Sequence, residues 1–274
     1  MDHYTTLEGV KGILESNSIY AFDAFRSRND EEELDFGVNL VVKFLSRRSS
    51  LCKAERLTNF IHGANRDFLT RGVFILCFSK ATENGLEYQW KNYGDYAIRF
   101  KKSFLEQKFE DGFGSFFIVN ADQSIKYFDD CGRGRGGKNF DLEFLEELRF
   151  LRKNIDPRAW MNDDSLTLEI FKNFYRAAYL SKRSECDNCE FYREEERRIL
   201  RLVWKNSDSR DKQDLTEIID FKGRPAVKMF SELVCKNIEE IVVGGNGDYD
   251  MVKQIKEINE FEIRVRKILP STGP

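Results

Sequence analysis

The sequence contains very little histidine and proline: only two histidines and four prolines occur in 274 residues. His3 and His62 are too few to build a histidine-rich zinc site. Cys186 and Cys189 form a C-x-x-C pair, but no second cysteine pair follows at the spacing of zinc ligands. We therefore expect no bound metal.

Long apolar runs are also missing. The run from Val73 to Phe78 is far shorter than the ~18 residues that a membrane span needs. The first residues, Met1 to Tyr4, have neither the basic leader nor the apolar core of a secretory signal. We therefore expect a cytoplasmic protein with no membrane partner, in which the six cysteines stay reduced.

Charge of one sign does not dominate either, because the formal net charge is −3 and the sequence pI is about 5.7. No global positive field would attract nucleic acid, so any such contact must use a local patch. What the sequence does contain is apolar material: 41% of the residues are hydrophobic, and 24 are Phe. That is enough for a substantial core.

Helix and strand patterns are interleaved along the chain without strict alternation. Helical periodicity predicts helices near 7–16, 36–68 (one or two), 86–93, 141–153, 165–180, 226–236 and 249–258. Strand patterns occur near 19–25, 73–79, 96–100, 198–204, 215–219, 241–243 and 262–268, and 116–119 and 125–128 are expected to pair. No linker-like segment separates them, so we predict a single α+β domain over 1–274, with helical insertions near 37–68 and 141–180.

A glycine-rich segment, Gly132–Gly137, matches the dinucleotide pattern G-x-G-x-x-G. Its context does not fit, because three residues separate it from the preceding strand and Asp156 follows a helix instead of a strand. The segment is either a plain surface loop or a loop that contacts phosphates through three basic residues: Arg133, Arg135 and Lys138.

Two glutamates stand immediately before a strand pattern. Glu194 and Glu196 are spaced i, i+2, so on extended backbone both side chains point to the same face, and Arg198 continues that row. The same E-x-E spacing occurs at 31–33 in a charged turn, so the pattern also fits an ordinary solvated run of charge. Position distinguishes the later pair, because it leads directly into a core strand.

Short motifs along nearly the whole chain resemble a widespread bacterial family of unknown function. They are His3-Tyr4-Thr5, Phe78-Ser79, Trp90-x-x-Tyr93, Glu194-x-Glu196-x-Arg198 and Ile241-Val-Val-Gly244. Two positions depart from the family pattern: Cys77 replaces a serine, and Arg197 stands where an aromatic residue is common. The layout is in turn similar to the ADP-ribosyltransferase superfamily. That resemblance implies a mixed, mostly antiparallel, split β-sheet flanked by helices.

The resemblance also implies a reaction on NAD as substrate. Glu196 would be the catalytic glutamate, Glu194 would assist the incoming nucleophile, and His3 would hydrogen-bond the ribose and nicotinamide side. A carboxylate suits this chemistry because cleavage of the nicotinamide–ribose bond passes through an oxocarbenium-like state. The other residues that would contact the cofactor are Tyr4, Thr5, Ser79, Trp90, Tyr93 and Arg198.

Each of these residues also has a purely structural interpretation. Arg198 can be a plain ion-pair partner, Trp90 and Tyr93 can be a core aromatic pair at helical spacing, and Ser79 can be a satisfied hydroxyl at a strand end. His3 can belong to an unstructured terminus. These alternatives compete with the catalytic interpretation residue by residue.

The leading functional hypothesis is an NAD-dependent ADP-ribosyltransferase that modifies RNA, DNA or protein. The family resemblance adds the expectation of a toxin or anti-phage effector with an antitoxin protein as a further partner. An NAD glycohydrolase would use the same site with water as the acceptor. A third hypothesis is a non-catalytic module that binds nucleic acid or protein through the basic residues of the glycine-rich segment.

Overall fold

A computed structural model describes residues 1–23, 31–46, 51–67, 70–79, 86–105, 116–117, 126–128, 142–159, 162–183, 196–204, 218–221, 223–229, 234–258 and 262–268. The helices are α1 (Leu7–Ser16), α2 (Glu31–Ser46), α3 (Leu51–Asp67), α4 (Leu86–Tyr93), α5 (Lys102–Leu105), α6 (Leu142–Lys153), α7 (Asp164–Tyr179) and α8 (Tyr249–Ile258). Within these ranges, no helix combines the length and the apolar character that crossing a membrane requires.

The strands are β1 (Asp2–Thr5), β2 (Ile19–Asp23), β3 (Thr70–Ser79), β4 (Tyr96–Phe100), β5 (Phe116–Phe117), β6 (Lys126–Phe128), β7 (Ser181–Arg183), β8 (Glu196–Trp204), β9 (Ile218–Phe221), β10 (Arg224–Met229), β11 (Ile238–Val243) and β12 (Arg264–Lys267). Ten of them form one sheet in the order β12-β11-β4-β1-β3-β2-β10-β9, with β8 paired to β3 and to β5. All its pairs are antiparallel except β11 with β12. The mixed helix and strand content and the mostly antiparallel sheet are as the sequence predicts.

Strand β3 joins two branches of this sheet. One edge of β3 pairs with β8 along its whole length, from Thr70 opposite Trp204 to Ser79 opposite Glu196. The other edge is shared, because β2 pairs near Phe74 and β1 pairs at Ser79. Residues 76–78 lie between these two points, where β1 and β2 diverge. We call this stretch of β3 the split.

Helices cover both faces of the sheet, and side chains of β3 alternate between them. Ile75 packs with a cluster built mainly from α2, α3, α6 and α7. We call these four helices the helical layer, and the face of the sheet that they cover the helical-layer face. Phe74 and Phe78 belong to a second cluster with α1 and α8 on the opposite face. The fold therefore buries two cores, one on each side of β3.

Helix α1 carries the chain from β1 to β2, and its ends have clear local causes. The Thr6 side chain accepts a hydrogen bond from the Gly9 amide at 3.3 Å and caps the first turn. Val10, Ile13 and Leu14 are buried in its apolar stripe. The helix ends at Asn17, which adopts a left-handed φ of 48°.

Two secondary-structure predictions are wrong. The described parts of the segments near 116–119 and 125–128 do not pair with each other: β5 pairs with β8, and β6 pairs with β7 in a separate two-stranded sheet. Within the described part of the helix predicted near 226–236, residues 226–229 belong to strand β10 and the residues from 235 belong to a short 3-10 turn at 235–237. β10 lies between β2 and β9 and forms hydrogen bonds on both edges. These bonds favour the extended conformation, although the apolar residues of this segment have helical spacing. The stretch near 36–68 forms two helices, α2 and α3.

Candidate functional site

Glu196 opens β8 and is only 5% exposed, directly opposite Ser79 of β3. Arg198 holds its carboxylate with two hydrogen bonds, from Nε to Oε1 at 2.7 Å and from Nη2 to Oε2 at 3.0 Å. Lys182 of β7 donates from Nζ to Oε2 at 2.9 Å. We call Lys182, Glu196 and Arg198 the β8 cluster; all three side chains are buried.

The surrounding backbone fixes the β8 cluster in place. Arg198 Nη1 donates to the Tyr179 carbonyl at the end of α7, at 3.0 Å. The Glu196 amide donates to the Tyr127 hydroxyl of β6 at 3.1 Å. The end of α7 leads directly into β7, which carries Lys182. The cluster is therefore held by the helical layer as well as by the sheet.

Electrostatics keep Glu196 ionised. Burial by itself would raise the pKa of this carboxyl, but the charges of Arg198 and Lys182 outweigh that effect. Hydrogen bonds from Arg198 and from the Cys77 thiol lower the pKa further. The pKa of Glu196 therefore lies well below its usual range, and the group is a carboxylate at neutral pH.

Cys77 lies in the split and contacts two of the predicted site residues. Its side chain is exposed, and its thiol donates a hydrogen bond to Glu196. Its backbone carbonyl accepts a hydrogen bond from His3 Nδ1 at 3.0 Å. The predicted catalytic glutamate and histidine therefore meet at one residue, on two different groups of that residue.

The contact with Cys77 sets the protonation of His3. A carbonyl oxygen only accepts hydrogen bonds, so Nδ1 carries the proton. Burial lowers the pKa of His3 and outweighs the opposing effect of this hydrogen bond, so the ring is neutral at neutral pH, with a lone pair on Nε2. The ring packs edge-on against Phe78, with centroids 6.0 Å apart.

The predicted site residues divide between the two faces of the sheet. Asp2, Ser79 and Glu196 occupy one register row, and residues directly opposite each other in antiparallel strands share a face. Tyr4, two residues after Asp2, lies on that same helical-layer face, whereas His3 points to the opposite face. Burial raises the pKa of Tyr4, so its hydroxyl stays protonated and can donate a hydrogen bond.

Thr5, Trp90 and Tyr93 lie at the other end of β1. Thr5 pairs with Tyr96, and Gly94, which ends α4, approaches the Thr5 backbone closely. Trp90 packs against Gly244, and its indole Nε1 is buried without a hydrogen-bond partner among the described residues. The structure therefore does not bring this aromatic pair beside Glu196.

Several predicted residues lie outside the described residues: Glu194, Arg133, Arg135 and Lys138, with the glycine-rich segment 132–137. For the described residues, no group of three or more His, Cys, Asp or Glu side chains is placed to hold a metal ion. Sequence reasoning missed Lys182, which follows α7 in a short polar stretch and carries no motif that marks it.

Sequence reasoning also missed a second charge cluster in the other branch of the sheet. Arg99 binds Asp2 through Nε and Nη2, both at 2.9 Å, and Glu240 through Nη1 at 3.0 Å. Glu240 also receives Arg264 Nε at 2.8 Å and Arg266 Nε at 3.1 Å. We call these five residues the β11 cluster. Both carboxylates are fully buried.

The groups around the split define what this site can do chemically. An ionised carboxylate can stabilise developing positive charge, and a neutral imidazole and a tyrosine hydroxyl can accept and donate hydrogen bonds to a polar ligand. Glu196 and Tyr4 share the face that carries the exposed Cys77 thiol, whereas His3 reaches the Cys77 carbonyl from the opposite face. Comparisons with family models, curated proteins and solved structures give no match to the chain.

Proposed function

We propose that the chain is an ADP-ribosyltransferase that takes ADP-ribose from NAD, with its reacting centre at Glu196 beside the split. The observation that carries this proposal is the convergence on Cys77. His3 binds its carbonyl and Glu196 binds its thiol, so the two residues named by the family resemblance meet at one exposed position.

The chemistry requires a carboxylate that stays charged. When the bond between ribose C1′ and the nicotinamide nitrogen breaks, its electrons leave with nicotinamide and positive charge develops on the ribose. A macromolecular nucleophile then bonds to C1′ and loses its proton to Glu194, which the family resemblance names as the residue that assists the nucleophile. Glu196 suits charge stabilisation instead of proton donation, because its lowered pKa keeps it ionised throughout.

The direction of substrate approach follows from the bonds that Glu196 already makes. A carboxylate has about four lone-pair positions, and Arg198 and Lys182 use three of them. Cys77, which also contacts this carboxylate, is exposed to solvent, so we expect the ribose to displace its thiol instead of the two cations.

The remaining predicted residues have different expected roles. His3 Nε2 can accept a hydrogen bond from a ribose hydroxyl, and Tyr4 can donate one from the face of Glu196. Trp90 and Tyr93 lie at the far end of β1, so we expect them to contact the acceptor or the distal part of NAD instead of the nicotinamide. The toxin or anti-phage role and an antitoxin partner remain expectations from the resemblance.

The test incubates purified protein and a cell lysate with NAD that carries a label in its ADP-ribose part. It measures the label transferred to macromolecules and the nicotinamide released. We expect label on a macromolecule and free nicotinamide with the wild type, and neither with Glu196→Gln. Glu240→Gln is the matched control, because Glu240 is an equally buried, arginine-paired glutamate away from the split. It should retain activity.

A second variant separates loss of chemistry from loss of folding. Glu196→Gln leaves two buried cations without their anion, whereas Glu196→Gln combined with Lys182→Met restores the wild-type net charge of the cluster. We expect the double variant to fold and to remain inactive. The proposal is overturned if folded wild type consumes no NAD, or if the double variant transfers label. Free labelled ADP-ribose alone would identify a glycohydrolase instead.

A further inference from the structure

A cluster of aromatic rings with one exposed and two half-buried members lies on the branch of the sheet formed by β2, β10 and β9. Phe221 stacks on Tyr20 with ring centroids 5.5 Å apart, and contacts Phe22 edge-on at 5.9 Å. Phe221 is 37% exposed, whereas the core ring of Phe74 is fully buried. We call Tyr20, Phe22 and Phe221 the aromatic platform.

Basic residues stand among these rings. The Arg224 guanidinium carbon lies 5.7 Å from the centre of the Phe22 ring, and Arg224 is directly opposite Phe221 in the strand register. Lys228 is directly opposite Tyr20. Both basic residues are exposed. Residues opposite each other share a face, so the two cations and the three rings occupy the same side of the sheet.

The acidic residues of these three strands alternate onto the other side. Asp23 follows Phe22 and is opposite Phe74, whose side chain faces α1. Asp220 precedes Phe221, and its carboxylate accepts a hydrogen bond from the Gly223 amide in the turn to β10. Within the described residues of β2, β9 and β10, the charge on the aromatic side is therefore entirely positive.

Aromatic pairs across strands stabilise a sheet, but that role does not require cations on the same face or a ring as exposed as Phe221. The combination matches the two parts of single-stranded nucleic acid. Unpaired bases stack on aromatic side chains, and phosphates pair with Lys and Arg. Bases of an intact duplex are stacked on each other and do not offer their faces.

We propose that the aromatic platform, with Arg224 and Lys228, binds single-stranded nucleic acid, which names the acceptor class of the proposed transferase. The acceptor role rests on the proposed function, whereas the binding itself does not. Phe22 is opposite Ile75, which shares the helical-layer face with Glu196. From strand spacing and rise, the two positions are about 16 Å apart, within reach of a strand a few nucleotides long.

The binding test uses fluorescein-labelled oligo(U) and oligo(dT) of about a dozen nucleotides, compared with a duplex of equal length. We expect both single strands to bind and the duplex to bind less. Phe221→Ala should weaken binding about five- to a hundredfold, since one stacked base is lost. Phe221→Leu should weaken it equally, whereas Phe221→Tyr, which keeps the ring, should not.

Charge reversal provides an independent arm. Arg224→Glu should weaken binding and flatten its dependence on salt, because a phosphate contact is lost. Lys267→Glu, which changes an exposed basic residue at the end of β12, is the matched control and should bind as wild type does. Urea unfolding of each variant verifies that the fold is intact.

The outcomes separate this proposal from the proposed function. Binding that Glu196→Gln preserves, in a protein that consumes no NAD, would support the platform and overturn the transferase. NAD-dependent labelling without oligonucleotide binding would support the transferase and overturn the platform. Preferential labelling of RNA over DNA, or the converse, would identify the acceptor. The platform proposal fails if Phe221→Leu binds like wild type, if the duplex binds as tightly as single strands, or if only protein is captured and labelled.

Discussion

The two charge clusters have their glutamates on one register row of the same sheet but differ in how exposed their cations are. In the β8 cluster, Lys182 and Arg198 have side chains that are 7% and 4% exposed. In the β11 cluster, Arg264 and Arg266 are 67% and 46% exposed. The glutamates at the two centres are both buried. Arg264 and Arg266 therefore have access to water that Lys182 and Arg198 lack.

The cations of the β8 cluster can be neutralised only by the protein, whereas water can help to neutralise the exposed arginines of the β11 cluster. Removing one member of a buried ion pair leaves an uncompensated charge in a low-dielectric environment. An exposed arginine that loses its partner is solvated instead. A carboxylate surrounded by buried cations is therefore held ionised and in fixed position, as a charge-stabilising group requires.

The largest expected effect is on the β8 cluster. Glu196→Gln should lower the free energy of unfolding by about 3–5 kcal/mol, because Lys182 and Arg198 both stay buried without an anion. Glu240→Gln should cost less, about 1–2 kcal/mol, since Arg264 and Arg266 can turn to water. Urea unfolding at neutral pH measures both. Equal losses would mean that cation burial does not distinguish the clusters.

The next effect concerns Arg99, which joins the carboxylates of the β11 cluster. Arg99→Met removes the bidentate partner of the fully buried Asp2 and should cost about 2–3 kcal/mol. The cost is smaller than for Glu196→Gln because one buried charge instead of two loses its partner, since Glu240 keeps Arg264 and Arg266. Arg99→Lys keeps the positive charge but cannot form both hydrogen bonds to Asp2 at once, so it should recover only part of the lost free energy of unfolding. Full recovery with Lys, in the same unfolding assay, would contradict the bidentate interpretation.

A smaller effect should appear in the response to acid. The pKa of Glu196 is lowered in the folded state, so the unfolded state takes up the proton first and stability falls as the pH drops below about 4.3. Thermal unfolding between about pH 6 and 3 should therefore show a shallower decline in Glu196→Gln than in the wild type. Arg264→Ala is the control, with the wild-type decline. Parallel curves for wild type and Glu196→Gln would exclude the ionised carboxylate.

The smallest effect is expected at the exposed end of the β11 cluster. Arg264→Ala should change the free energy of unfolding by no more than about 1 kcal/mol, because its side chain is largely in water. Raising the salt concentration should shrink that difference, whereas the Glu196→Gln loss should persist. A salt-independent loss at Arg264 would place it among the buried charges.

Local pattern was sufficient for part of the fold. Helix α4 at 86–93 and helix α8 at 249–258 match their predicted bounds, and the apolar run ending at Ser79 is strand β3. These elements have a hydrophobic period that agrees with their packing. Strand β10 was mispredicted because its conformation is decided by β2 and β9, which pair with it from distant parts of the sequence.

The candidate site was predictable only where neighbours in sequence are neighbours in space. The i, i+2 spacing correctly puts Glu196 and Arg198 on one face, and they form an ion pair. Lys182 reaches Glu196 from another strand, so spacing along β8 cannot indicate it. The opposite orientation of His3 depends on the register of Asp2 against Ser79, which a single sequence does not encode locally.

The pairing of β3 with β8 also determines when the sheet can form during synthesis. Ser79 and Glu196 are 196 − 79 = 117 residues apart, so at typical translation rates β3 precedes its partner by about 6–23 s. During that interval one edge of an apolar strand has no β8 to pair with, although β1, β2 and β4 already exist. Proteolysis of ribosome-stalled chains should find β3 protected only after residue 204 has emerged. Until then the unpaired edge of β3 can pair with other chains, whereas local contacts such as those of α1 form without waiting for a distant segment.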